Sequence, residues 1–252
     1  MPPKTIVAPA VDSIQYGEPK KMDATGGTLY RFNPSPISIK LGCDAVPDSL
    51  LVASWYASQS TQGNDPCAYY FSVELRDSDQ IKFFEDLDAK NKKFIAEAGP
   101  VAYPRKGPGS DHAERYKPMM WTRDRDGCKM LTVNCVVPND DEEEDDTRKK
   151  KSPTLFYKSK LISELKPGER LGVPKQASIS AIEKGTRVII AAEALWLFYN
   201  GANATAKWHA KSVMVFAAST ATEEDGGMSL LSEEHVARMK EEEGQEEEEP
   251  AE

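Results

Sequence analysis

Aromatic and basic residues alternate between residues 101 and 121, in the stretch VAYPRKGPGSDHAERYKPMMW. Rings and cations are interleaved there in the set Tyr103, Arg105, Lys106, Arg115, Tyr116, Lys117 and Trp121. Grooves that bind single-stranded nucleic acids use such sets, because bases stack on rings while phosphates meet the cations. A surface loop pinned to a core by its aromatic side chains would have the same composition. The stretch alone leaves both interpretations open.

A second cationic stretch lies between Thr186 and Phe216, where two strand-like runs flank Asn200-Gly201. This dipeptide accepts the positive φ angles of a tight hairpin turn. The first run is almost continuously apolar, as is typical of a strand covered on both faces. The second run alternates, with Lys207, His209 and Lys211 on one face and Ala206, Trp208, Ala210 and Met214 on the other. The pattern predicts a β core with a cationic face, although solvated lysines on an ordinary hairpin would look alike.

The net charge of −9 is distributed very unevenly along the 252 residues. Residues 223–252 contain thirteen acidic and two basic residues, which leaves 28 acidic against 30 basic residues in the rest of the chain. Seven of those 28 form one block, Asp140 to Asp146, without which the remainder has a net charge of +9. A cationic body with separate acidic segments predicts that the body binds a polyanion and that the acidic segments compete for the same surface.

Several kinds of site are not supported by the sequence. It contains no dinucleotide-binding, P-loop, zinc-protease or hydrolase motif, so we expect a protein that is not an enzyme and needs no cofactor. Its four cysteines contain no C-x-x-C pair, and none lies at ligand spacing from a histidine, so we expect reduced, buried thiols and no metal. No apolar run reaches the roughly 18 residues of a membrane span, and no signal peptide is recognisable. We therefore expect an intracellular protein without membrane contact.

The periodicity predicts about nine short strands and one helix, arranged as a β barrel or a β sandwich. Strands are expected at 29–32, 37–41, 49–56, 68–76, 130–137 and 154–162, in addition to the hairpin. The helix is expected from Asp77 to Ala98, capped by Asp77 and stopped by Gly99-Pro100. The predicted organisation is an irregular arm at 1–27, a β domain at 28–218 with an insertion loop at 138–152, and a disordered acidic tail at 219–252.

Three features resemble the single-stranded DNA-binding proteins of the short-tailed coliphage type and their counterparts in large DNA viruses of algae and protists. The first is the order of segments, in which strands and the Phe83-Phe84-Glu85-Asp86-Leu87-Asp88 helix precede the basic and aromatic loop. The second is the last strand, which carries Lys207-Trp208-His209-Ala210-Lys211. The third is the glutamate-rich tail.

The resemblance implies a mainly β fold, namely an OB-fold-like barrel with extra strands and one lateral helix, that binds single-stranded DNA without sequence preference. It implies action in DNA replication, recombination or repair at intracellular sites of viral DNA replication. The tail would cover the DNA groove and recruit replication proteins, and a homodimer is left open. The nucleic-acid-binding residues expected from these patterns together are Trp55, Tyr69, Phe71, Tyr103, Arg105, Lys106, Arg115, Lys117, Lys207, Trp208 and Lys211.

Two other functions fit parts of the sequence. An acidic histone or assembly chaperone with a β core would use the acidic segments as its binding site, and a structural virion component would use exposed rings for self-assembly. The location of the rings distinguishes these interpretations. Rings that line a groove together with lysines favour DNA binding, whereas buried rings remove the basis for stacking. Trp208 shares its face with small apolar residues, so the sequence equally allows it to be a core residue.

Overall fold

The computed structural model describes residues 8–22, 26–43, 49–60, 67–104, 111–137, 152–159 and 174–216. The chain divides into two compact units, residues 1–218 and 219–252, and all described residues belong to the first. The predicted acidic tail therefore lies outside the described residues, as does the predicted insertion loop apart from Ser152.

The described residues form a mainly β structure with one α-helix, α1, at Ser78–Ala102. Short 3-10 turns occur at Val11–Ser13, His112–Arg115 and Ile179–Ala181. The strands are β1 Gln15–Lys21, β2 Thr28–Asn33, β3 Ile37–Leu41, β4 Leu51–Ala53, β5 Ser58–Gln59, β6 Ala68–Leu75, β7 Met120–Thr122, β8 Lys129–Val136, β9 Leu155–Ser159, β10 Lys175–Gln176, β11 Arg187–Ala194, β12 Trp196–Tyr199, β13 Ala204–Ala206 and β14 Trp208–Phe216.

Five strand positions close into a barrel. β3 and β4 pair with successive parts of β11 and together act as the first barrel strand. β4 pairs with β6, β6 with β8, β8 with β14, and β14 with β11, which closes the ring. Only the contact between β8 and β14 is parallel among these pairs. This order is that of an OB fold, with β6 and β8 as its second and third strands. The predicted OB-like barrel with one helix is confirmed.

Alternation along the barrel strands sends every second side chain into the core. On β6, Phe71, Val73 and Leu75 are buried, while Tyr70 and Ser72 point outward. On β8 the inward residues include Leu131 and Val133.

A second sheet has the strand order β1-β2-β12-β13 and packs against α1. Ile14 is fully buried, and the ring of Tyr16 stacks on Phe94 of α1 with centroids 3.9 Å apart. Tyr16 also donates a hydrogen bond to Asn91 Oδ1 at 2.6 Å. The prediction of an irregular arm is therefore wrong for residues 15–21, which form a strand that pairs with β2 and contacts the helix through Tyr16.

The helix begins as predicted and ends later than predicted. Asp77 caps it by accepting from the amides of Asp79 and Gln80. It continues through Gly99-Pro100 to Ala102, although Pro100 cannot donate a backbone bond. Gly99 is needed at this place, since a β-carbon there would lie 2.6 Å from the His112 ring. Tyr103 holds the last turn through two hydrogen bonds. Its backbone amide donates to Gly99 O and its hydroxyl donates to Tyr199 O. Tertiary contacts thus override the local stop signal.

The predicted long hairpin is present as β11 paired with β14, but its tip forms the separate β12–β13 hairpin of the second sheet. The tip is a four-residue turn in which Asn200 Oδ1 accepts from the amides of Ala202 and Asn203. A bulge makes Lys211 an extra residue opposite β11. The alternation therefore shifts by one residue after Lys211. Val213 and Val215 share the buried face with Trp208 and Ala210, whereas the sequence pattern placed Met214 on that face.

All four cysteines are thiols that form no disulfide. Cys135 on β8 is buried, and burial raises the pKa of its thiol to about 12. The other three, Cys43, Cys67 and Cys128, are only half-buried, so the prediction of buried thiols holds for Cys135 alone.

Candidate nucleic-acid interface

A groove of about 400 Å³ lies on the outer face of the barrel, where two strands share one edge of β8. β7 pairs with residues 129–131 of β8, and the start of β14 pairs with Val133 and Asn134. The groove occupies the step between β7 and β14. It is lined by Ser60, Tyr70, Lys117, Pro118, Met119, Trp121, Thr132, Asn134, Thr205, Ala206, Lys207 and Trp208.

Two exposed aromatic rings line this groove. Tyr70 is 40% exposed and Trp121 is 46% exposed. Tyr70 lies opposite Asn134, and Trp121 lies opposite Met130, so four residues of β8 separate their positions along the strand. That separation corresponds to about 13 Å at 3.3 Å per residue. The floor between them carries the polar side chains of Thr132 and Asn134.

Two lysines belong to the same lining. Lys117 and Lys207 are both exposed, and neither forms an ion pair with another residue in the described part of the chain. Lys117 is fixed at its backbone, because its amide donates to Ala204 O at 2.8 Å. Lys207 directly precedes β14. Cations that lack an acidic neighbour keep their charge available for an anionic ligand.

The segment that carries Lys117 is anchored from inside by a buried hydrogen-bond chain. Asp88 of α1 accepts from the hydroxyl of Tyr116 at 2.5 Å and from the amide of Met119 at 3.1 Å. Asn91 donates to the same hydroxyl at 2.9 Å. Trp208 Nε1 in turn donates to Met119 Sδ at 2.8 Å. One helix and one barrel strand therefore position the groove wall.

The protonation of Asp88 and Tyr116 affects how firmly their hydrogen bond holds the groove wall. Burial raises the pKa of Asp88, while the bonds from Tyr116, Met119 and Met120 oppose the rise. Burial, followed by the neighbouring charge of Asp88, raises the pKa of Tyr116 far above its ordinary value. The Tyr116 hydroxyl consequently remains protonated and continues to donate.

Replacing Asp88 by alanine should destabilise the fold by about 2–6 kcal/mol. The reason is that two buried donors, the Tyr116 hydroxyl and the Met119 amide, would lose their acceptor, and each unsatisfied buried group costs about 1–3 kcal/mol. Urea unfolding measures this loss. Lys82→Ala is a suitable control, because Lys82 makes only an exposed ion pair with Asp86, which is worth little. If the Asp88→Ala variant had the same unfolding free energy as the unchanged protein, the hydrogen bonds of Asp88 would not be what anchors the groove wall.

Two predicted stacking residues belong to the core. Trp208 and Phe71 are each 1% exposed, and Trp208 packs edge-to-face against Phe84 with centroids 5.2 Å apart. A ring without a free face cannot stack on a base, so these two predictions are corrected. The physical reason is their strand phase, which places both on the inward face of the barrel.

Other predicted residues lie near the groove or away from it. Lys117 and Lys207 line it, whereas the half-buried Tyr69 and Tyr103 pack against the core. Lys211 pairs with Glu193 at 3.5 Å. Arg115 is half-buried and acts on Tyr199. Burial raises the pKa of Tyr199, and the positive charge of Arg115 lowers it. Arg105 and Lys106 lie outside the described residues.

Trp55 is exposed in a different place. It is 59% exposed after β4, does not line the groove, and has Lys184 Nζ 5.6 Å from its ring centroid. Nucleic-acid binding by Trp55 and by the other unburied residues of the predicted site stays a prediction.

The two groove rings were not among the predicted site residues. Tyr70 could have been found from the period-2 pattern of β6, since Phe71, Val73 and Leu75 are the apolar members and Tyr70 falls on the opposite face. Trp121 stood in the interleaved stretch, but no local pattern identified its strand.

Neither a metal site nor a membrane helix is found in the described parts of the chain. They contain no group of three or more His, Cys, Asp or Glu residues that could hold a metal ion. None of their helices is long and apolar enough to cross a membrane.

Two solved structures with a similar course of the chain are of phage proteins. One is gp2.5, a single-stranded DNA-binding protein of bacteriophage T7, with 14% identity and a TM-score of 0.44 over 75% of this chain and 96% of that chain. Another is the single-stranded DNA-binding protein of bacteriophage Enc34 in complex with ssDNA, with 12% identity and a TM-score of 0.33 over 80% and 94%. No protein-family model matches the sequence, and no curated protein is significantly similar to it. The OB fold of the barrel follows from the pairing of its strands.

Proposed function

We propose that this protein binds single-stranded DNA without sequence preference, in the groove between β7 and β14. One observation carries the proposal: two exposed rings, Tyr70 and Trp121, and two exposed lysines that pair with no acidic residue in the described part of the chain line one groove on the face formed by the second and third strands of an OB barrel. This face is the one that OB folds use for oligonucleotides.

The chemistry of the groove suits a single strand. Unpaired bases can stack on Tyr70 and Trp121, and every base has a π-face, so stacking does not select a sequence. The bases of a duplex are already stacked on each other, so a duplex could use only the lysines. The proposed role is binding without catalysis.

The acidic tail is proposed to act as an intramolecular competitor. Residues 223–252 have a net charge of −11, opposite in sign to the groove lysines. A tethered segment reaches effective concentrations in the mM range, which is enough to displace weak ligands but not a long strand. The same tail is proposed to recruit replication proteins.

The proposal extends to the biological setting. The sequence resemblance supports a role in replication, recombination or repair, a kinship with the counterparts in large DNA viruses of algae and protists, and action at intracellular sites of viral DNA replication. A homodimer is compatible with this role.

Fluorescence anisotropy with a labelled single strand of about 30 nucleotides and the matching duplex tests the proposal. We expect tight binding of the single strand, weak binding of the duplex, and tighter single-strand binding by a chain that ends at Ala218. Lys117→Gln/Lys207→Gln should reduce the salt slope, the change in log affinity per unit of log salt concentration, by about 1.4, at about 0.7 per lost phosphate contact. Absence of single-strand binding by both chain lengths, together with capture of histones by the full chain, would replace DNA binding by the chaperone function.

A further inference from the structure

The outer face of the second sheet carries rings and cations of its own. Alternation places Tyr30, Leu197 and Tyr199 on the buried face of this sheet. Leu29, Arg31, Trp196, Phe198 and Thr205 occupy the opposite face, where Trp196 pairs with Arg31 and Phe198 pairs with Leu29 and Thr205. Lys20 of β1 lies opposite Leu29 and extends this face to the edge of the sheet.

Arg31 and Trp196 form a cation–π pair on this face. The guanidinium carbon of Arg31 lies 5.6 Å from the ring centroid of Trp196, and its Nε donates to Ser35 Oγ at 3.0 Å. Arg31 is exposed and Trp196 is half-buried, so both remain accessible. A guanidinium plane and an indole are surfaces on which bases stack, and the guanidinium also binds phosphate.

The charge of the sheet is predominantly positive. Its four strands contain Lys20, Lys21 and Arg31 but only one acidic residue, Glu18, which lies in the bulge of β1. Lys20 and Lys21 are exposed. This balance favours an anionic ligand over a basic or neutral protein surface.

The face is continuous with the groove. Thr205 of β13 lines the groove beside Lys207 and also lies opposite Phe198 on the outer face of the sheet. Trp196 lies two residues before Phe198 on β12 and opposite Arg31 on the next strand, β2. With strands about 4.8 Å apart and residues about 3.3 Å apart, Arg31 is on the order of 12 Å from Thr205.

We propose that the outer face of this sheet is a second contact surface for the same single strand of DNA after it leaves the groove past Thr205. Bases stack on the Arg31–Trp196 pair, and Arg31 and Lys20 meet phosphates. The proposal rests on the proposed function, because it takes the groove as the entry point. It assigns to the appended sheet, which is not part of the barrel, a role in setting the length of DNA that is bound.

The length dependence of affinity tests this surface. Anisotropy is measured with labelled oligonucleotides of about 4 and about 16 nucleotides, the limits of the usual site size for one OB fold. We expect the unchanged protein to bind the longer strand with a steeper salt slope. The Lys20→Gln/Arg31→Gln variant should reduce the slope for the longer strand by about 1.4 and its affinity at least fivefold, with little change for the shorter strand. Lys92→Gln/Lys93→Gln removes the same charge from exposed positions on α1 and serves as the matched control.

Fluorescence provides a second readout. In a Trp55→Phe/Trp121→Phe variant the remaining tryptophans are Trp196 and the buried Trp208. We expect the longer strand to quench this emission and the shorter strand to leave it unchanged.

Unchanged slope and affinity of the Lys20→Gln/Arg31→Gln variant on the longer strand would overturn the inference, while DNA binding in the groove would stand. If the variant instead changed the sedimentation of the free protein, the face would be a contact between copies of the chain. Failure of the unchanged protein to bind either oligonucleotide would refute the proposed function and this inference with it.

Discussion

Replacing Tyr70 and Trp121 together by alanine is expected to lower the affinity for single-stranded DNA at least about thirty-fold. Each base that stacks on an aromatic side chain contributes about 1–3 kcal/mol, and tenfold in affinity corresponds to about 1.4 kcal/mol. Both rings are substantially exposed, so their removal should cost little stability. Anisotropy titration measures the affinity, and urea unfolding shows that the fold is kept.

Two further variants make this experiment specific. Tyr70→Phe/Trp121→Phe keeps an aromatic ring at each position and should retain most of the affinity. Leu155→Ala removes an exposed apolar side chain, 48% exposed on β9 and not part of the groove lining, and should have no effect. If the double alanine variant bound DNA as tightly as the unchanged protein, the groove would not be the binding site.

Replacing Trp208 by alanine is expected to lower the unfolding free energy by about 3–5 kcal/mol, the usual cost of truncating a buried aromatic residue. Trp208 is almost fully buried, packs on Phe84, and fixes Met119 at the groove wall. Urea unfolding measures the loss. This cost is a large part of a typical domain's stability, so Trp208→Phe serves as the milder variant. Its unfolding free energy should lie between those of the unchanged protein and the Trp208→Ala variant.

The opposite outcome has a clear meaning for Trp208. A Trp208→Ala protein that unfolded like the unchanged one and yet lost DNA binding would show that the ring stacks on bases. Trp208 would then have to leave the core in the complex.

The features predicted well from the sequence depend on local, repeated patterns. The cap at Asp77 and the apolar stripe of α1 are local, and the helix begins as predicted. The alternation of His209 and Lys211 against Trp208 and Ala210 is confirmed, because one face of β14 packs in the barrel, whereas Ala206 is buried at the end of β13 in the second sheet. The number and spacing of the strands predict a barrel and a sandwich alike, and the family resemblance alone implies the barrel.

The features predicted wrongly depend on contacts between distant residues. Gly99 lets His112 pack against the helix and Tyr103 bonds the last turn to Tyr199, and no pattern near Gly99 indicates these contacts. The bulge at Lys211 changes the strand phase and gives that cation a partner in Glu193. Tyr70 and Trp121 share one groove only because β6 and β7 lie on opposite sides of β8.

Photo-crosslinking tests the central claim, single-strand binding in the groove, most directly. The full chain is bound to a single strand that contains bromodeoxyuridine, irradiated, digested and mapped by mass spectrometry. We predict crosslinks at Tyr70 and Trp121, and their loss when an unlabelled single strand, but not a duplex, is added in excess. Efficient crosslinks that map elsewhere on the chain while Tyr70 and Trp121 remain unmodified would contradict the account.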